Sequence, residues 1–133
     1  MDAREFFPIA ARMSTSANEA ERRTSIGRSY YGLFHVLLGA LSDRGVVFRE
    51  TPDDHQNLIA YLTKCRNSVA AKVGAALKDL RQERNRADYR LKEICSERSS
   101  EFVYQKTMNA LRQFESISEP ELGSLVKTIR ALP

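Results

Sequence analysis

The sequence predicts an all-α fold, an up-and-down bundle of four to five helices. Three observations carry that prediction. Apolar residues recur at helical spacing in successive stretches, cap-type residues stand just before them, and nothing alternates apolar and polar long enough for a strand. The clearest stretch is 25–41. Read at 100° per residue, Ile26, Tyr30, Leu33, Phe34, Leu37 and Leu41 share one apolar arc, which Leu38 widens. Arg28, Tyr31 and His35 stack on the opposite side at i, i+3 and i+7. Gly32 and Gly39 lie beside that polar stripe, two turns apart. Because an interior helical glycine costs about 1 kcal/mol relative to alanine, the pair predicts that a second surface packs close there.

The other elements follow in order. A first helix covers about residues 2–14, with Phe6, Phe7, Ile9, Ala10 and Met13 as buried candidates and Pro8 either in the first turns or at a bend. Ser16 with Glu19 reads as a capping box opening the long second helix, which runs to about Asp43. Gly45 is placed to stop it. Thr51-Pro52-Asp53-Asp54 is a helix start, a threonine cap followed by proline and two acids, for a third helix to about Lys64 that buries Leu58, Ile59 and Leu62. His55 falls in its first turn.

A fourth helix spans about Asn67 to Asp88. Val69, Val73, Ala76, Leu77, Leu80, Arg84 and Ala87 recur on one face, so Arg84 continues the line of the core residues, flanked by Arg81 and Asp88. A fifth helix opens at Ser99 or Ser100 and runs to about Ser116, with Val103, Thr107, Ala110, Phe114 and Ile117 inward. Residues 1–117 therefore read as the bundle, and 118–133 as a tail or short helix after Pro120.

Composition bounds the function. The 133 residues carry 21 Lys and Arg against 17 Asp and Glu, a formal charge of +4. Charges of both signs are interspersed, so a solvated surface is the bland reading and contact with a polyanion the sharper one. No apolar run approaches the roughly 20 residues that span a bilayer, and the N-terminus lacks the pattern of a secretory signal. Cys65 and Cys95 lack metal-ligand spacing and read as reduced thiols of a cytoplasmic protein. Two separated histidines and dispersed carboxylates predict no metal site, and no cofactor motif is present.

The chemistry-bearing residues are few. Arg84 and Asp88, one turn apart, make an i,i+4 ion pair in the bland reading. An arginine on the core line needs partners, however. Arg28, Tyr31, His35 and Asp88 are the candidates if the second and fourth helices pack antiparallel.

Arg28-Ser29-Tyr30-Tyr31-Gly32-Leu33-Phe34-His35, the later His55, and Arg84-Asn85-Arg86-Ala87-Asp88-Tyr89 together resemble the HEPN domains (higher eukaryotes and prokaryotes nucleotide-binding), over about residues 2–117. The likeness is greatest to the small stand-alone prokaryotic branch. It implies a homodimer whose polar helix ends meet in a cleft. It also implies a role in a toxin–antitoxin or phage-defence system, and a small nucleotidyltransferase-like partner protein. Many such domains are metal-independent RNA endonucleases with an Arg, four to six other residues, and a His. Here Arg84 matches the Arg and Asn85 the polar residue after it, but the position five beyond Arg84 is Tyr89.

That departure bears on mechanism. Cleavage at a 2′-hydroxyl needs groups titrating near neutral pH, and a phenol near 10 does not serve. His35 or His55 substitutes only if folding brings one beside Arg84. The sequence therefore ranks nucleotide, RNA or partner binding first, through Arg28, Tyr31, His55, Arg84, Asn85, Asp88 and Tyr89. An RNA endonuclease using Arg84 and a displaced histidine such as His35 comes second. A structural or regulatory subunit, in which these residues only knit the core, comes third.

Overall fold

Each long helix begins where a side chain takes up the first free backbone N–H groups. The computed structural model describes residues 1–133 and contains a 3-10 turn, Ala3–Glu5, and six α-helices. These are α1 Phe6–Ser14, α2 Glu19–Ser42, α3 Asp53–Lys64, α4 Ser68–Tyr89, α5 Glu97–Glu115 and α6 Glu119–Arg130. The all-helical bundle is what forms. Pro8 sits in the first turn of α1, where a missing N–H is tolerated.

Several helix starts lie two to four residues from where the sequence pattern puts them. Asn18, not Ser16, caps α2, accepting the Glu21 N–H at 3.1 Å. Ser16 braces that cap: its hydroxyl accepts the Asn18 N–H and donates to Glu21. Asn67 caps α4, Ser96 caps α5 ahead of Ser99, and Ser118 caps α6 with Pro120 in the first turn. At α3 the chain is already helical at Pro52, and no threonine side-chain cap forms. Asp54 faces back instead, 4% exposed, and its two carboxylate oxygens accept the Arg49 and Glu50 N–H groups at 3.0 and 2.8 Å. That staple holds Glu50 in its left-handed conformation.

The long helix α2 is the spine. Its apolar arc is buried as expected: Ile26, Tyr30, Leu33, Phe34, Leu37 and Leu41 are each at most 5% exposed. They meet Leu58 and Leu62 of α3, Val73, Leu77 and Leu80 of α4, and Val103, Ala110 and Phe114 of α5 in one core. Helix α6 adds Leu122, Leu125, Val126 and Ile129 to that core, so the segment after Pro120 docks on the bundle. Gly45 closes α2 with φ +95°, as its position predicted.

A second face of α2 is lined by small residues, and here the glycine expectation needs correction. Ser25, Ser29 and Gly32 are all buried, and Ser25 donates to the Ala10 carbonyl of α1 at 2.7 Å. A Cβ on Gly32 would stand 2.7 Å from the Phe7 ring, so the close surface is α1 of the same chain. Gly39 has nothing within 4 Å and marks no such contact. Helix α1 consequently buries only the narrow stripe Phe7, Ala10 and Ser14, while Phe6, Ile9 and Met13 stay half-exposed, as does Ile59 in α3.

Two arginines absent from the sequence reading tie the α4–α5 loop down. Arg22 donates to the carbonyls of Cys95 and Ser16, each at 2.9 Å. Arg23 donates to Ala87 at 2.8 Å, to Arg90 and to Glu93. Arg23 thereby takes up free carbonyls at the C-terminal end of α4, while Arg22 ties the loop to the start of α2.

Candidate nucleotide-binding groove

Helices α2 and α4 run in opposite senses, so Arg23 reaches Ala87 near the start of α2 while Tyr31, two turns on, meets Arg84. The Arg84 guanidinium lies 5.0 Å from the Tyr31 ring centroid, and that of Arg28 lies 5.6 Å from the same ring and 5.1 Å from Phe6. Cation–π attraction of about 0.5–2 kcal/mol per pair accounts for both placements. Arg84 thus continues the core line only as far as its rim, its side chain 21% exposed. Its Nε stands 3.0 Å from Asp88 Oδ2 without hydrogen-bond alignment, and its Nη1 donates to Asn85 at 3.0 Å. The ion pair forms, but it leaves a guanidinium N–H unused.

Beside this pair is a groove of about 640 Å³ lined by Tyr31, Phe34, His35, His55, Arg81 and Arg84, with the 48–54 loop as its far wall. Tertiary packing brings His55 into it from α3. The imidazole stacks on Phe34, centroids 4.0 Å apart at 13°, and its Nδ1 lies 2.6 Å from the Tyr30 hydroxyl. His35 is exposed, 6.4 Å from the Tyr31 ring. Arg81, which the sequence reading left as a flanking residue, also faces the groove. Its place one turn before Arg84 was the available signal.

The candidate residues therefore divide. Tyr31, His35, His55 and Arg84 line one groove, with Arg28 against the Tyr31 ring. Asn85 and Asp88 touch Arg84 from outside it. Tyr89, 74% exposed at the end of α4, does not line it. No three His, Cys, Asp or Glu side chains gather to hold a metal ion, and no helix is long and apolar enough to cross a membrane.

Two arginines, Arg81 and Arg84, face one unpaired carboxylate, Glu50, across the groove, so its charge balance leans towards an anion. The oxygens of Asp54 are spent on backbone N–H groups, and Arg81 forms no ion pair. Burial, then the charges of Arg81 and Arg84, hold His55 below the usual histidine value. Burial pushes the Tyr30 phenol up to about 12. A second depression, of about 390 Å³, lies under Ile94 and Phe102. Its Arg86 and Arg90 already pair with Glu93 and Arg23 is taken up by carbonyls, which leaves Arg98 as its one unpaired arginine, with no aromatic ring holding a guanidinium there.

His55 makes the stability of the fold depend on pH. The unfolded chain protonates this residue near 6.5 and the folded chain only at lower pH. The stability it contributes is complete above about pH 6.5 and is lost as pH falls towards the folded value, at up to about 1.4 kcal/mol per pH unit. Urea midpoints at pH 7.5 and 5.5 check this: the drop seen in the wild type is expected to shrink in His55→Gln. The carboxyl of Glu19 is held down mainly by the Cys95 N–H, and at Glu93 burial pushes the carboxyl up but Arg90 and Arg86 together outweigh it, so both act only below about 4.5.

No family model, curated protein or solved structure matches this chain.

Proposed function

We propose that this protein is a HEPN-like module that binds a nucleotide or single-stranded RNA in the groove between α2, α3 and α4. One observation carries the reading: an uncompensated Arg81 and the half-buried Arg84 converge with His55 beside the Tyr31 and Phe34 rings. Guanidinium groups take phosphate oxygens by charge-assisted hydrogen bonds, and an aromatic face takes a base by stacking. The homodimer, the nucleotidyltransferase-like partner and the toxin–antitoxin or defence setting belong to the same proposal through the resemblance.

A second reading, a metal-independent RNA endonuclease, is favoured by the two imidazoles of His35 and His55 lining the groove of Arg84. An acid and a base titrating near neutrality are what 2′-hydroxyl attack needs. The test is a labelled single-stranded RNA incubated with the protein in EDTA, with binding and cleavage both read, beside His35→Ala and His55→Ala. Saturable binding without cleavage is expected. Cleavage that either histidine variant abolishes would put the endonuclease first, and no binding at all would reject the groove as a nucleotide site.

A further inference from the structure

The Tyr30 side chain is fully buried, and a buried hydroxyl needs an acceptor. The only partner within hydrogen-bond distance is His55 Nδ1 at 2.6 Å. Burial keeps the phenol protonated to about 12, so Tyr30 donates and Nδ1 accepts. A neutral imidazole that accepts at Nδ1 carries its proton on Nε2. Protonating the ring at Nδ1 would strand the Tyr30 O–H without an acceptor, which opposes the charged form as burial does. The ring cannot easily turn away, because Phe34 stacks on it and Tyr30 lies nearly parallel at 5.7 Å. Three groups with N–H donors that bond to nothing else therefore line one groove: His55 at Nε2, Arg81 with no ion pair, and Arg84 at Nη2, its Nη1 being taken by Asn85 and its buried Nε facing Asp88.

We propose that Tyr30 is a positioning residue which, by holding His55 as the Nε2–H tautomer, makes His55, Arg81 and Arg84 a three-donor site for a phosphate group beside the Tyr31 ring. His55 is then a hydrogen-bond donor to the ligand rather than a general base. This deepens the nucleotide-binding reading and rests on it for the source of the phosphate.

The experiment is a long-range proton–nitrogen correlation spectrum of the histidine rings in the ¹⁵N-labelled full chain, in phosphate-free buffer near pH 7.5. A single neutral His55 ring protonated on Nε2 is expected, with both tautomers present in Tyr30→Phe, whose retained ring keeps the fold by thermal melting. A wild-type ring protonated on Nδ1 overturns the proposal without reference to any variant, and so does a tautomer that Tyr30→Phe leaves unchanged. Titration follows with inorganic phosphate in one arm and a ribonucleoside monophosphate in the other. The His55 Nε2 resonance should move in both, and Arg81→Gln or Arg84→Gln should weaken binding about 10-fold or more. Tighter binding of the monophosphate supports a nucleotide as the source. Equal affinity keeps the phosphate site but counts against the nucleotide reading. Single-stranded RNA that binds while phosphate leaves His55 unmoved defeats the three-donor site and spares that reading.

Discussion

Gly32→Leu is expected to lower stability by about 3 kcal/mol and the melting temperature by about 10 °C. A Cβ at this position would sit 2.7 Å from Cε1 and 3.2 Å from Cδ1 and Cζ of Phe7. Phe7 is 5% exposed, so its ring has no free direction in which to yield. A leucine adds three more carbons to that clash, and the relief is to lift α1 off α2. Lifting α1 uncovers Phe7 and Ala10 and breaks the bond from Ser25 to the Ala10 carbonyl. Gly32→Ala should cost less, because better helix propensity, about 1 kcal/mol, offsets part of the strain. Shortening the partner should relieve the clash, so Gly32→Leu with Phe7→Ala is expected to be less destabilised than the sum of the two single changes. Thermal melts of the four chains check this. Unchanged melting in Gly32→Leu would mean that α1 does not pack on this face.

Arg84→Gln combined with Arg81→Gln is expected to cut affinity for single-stranded RNA at least 100-fold at low salt while the chain stays folded. Each charge-assisted hydrogen bond to a ligand is worth about 1.5–3 kcal/mol, roughly 10- to 100-fold. The fold should survive because neither side chain is a core contact. Arg84 loses a partly exposed ion pair and a ring contact, together about 1–2 kcal/mol, and Arg81 loses no ion pair. Fluorescence anisotropy at several salt concentrations separates charge from stacking: the log–log salt slope should flatten by about one for each phosphate contact removed. Tyr31→Leu should instead weaken binding with the slope unchanged. Plain unfolding of the double variant would instead assign the pair to a structural network. Retained affinity would move the ligand elsewhere.

Much of this arrangement is legible residue by residue. The arc of Ile26, Tyr30, Leu33, Phe34, Leu37 and Leu41 and the stripe of Val103, Thr107, Ala110, Phe114 and Ile117 are all buried, because a 3.6-residue period leaves no other way to hide them. The stacking of Arg28, Tyr31 and His35 along one side of α2, and the pairing of Arg84 with Asp88, follow from the same period. The caps of α2 and α5 are harder to place: asparagine and serine are nearly equal caps, and Ser16 with Asn18, and Ser96 with Ser99 and Ser100, compete within four residues of each start.

Which residues share a helix face, and with that the all-helical bundle, can therefore be read from the order of the amino acids. Which faces meet was decided by tertiary structure alone. Phe7 rather than a second molecule covers Gly32, Arg22 and Arg23 hold a loop some seventy residues away, and Tyr30 bonds to a histidine 25 positions on. The physical reason is that periodicity is a local property of the backbone, whereas the meeting of two faces depends on the volumes and hydrogen-bonding needs of side chains from distant turns. The buried Tyr30 hydroxyl had to find an acceptor, and only the packing of α3 against α2 and α4 supplies His55 to meet it.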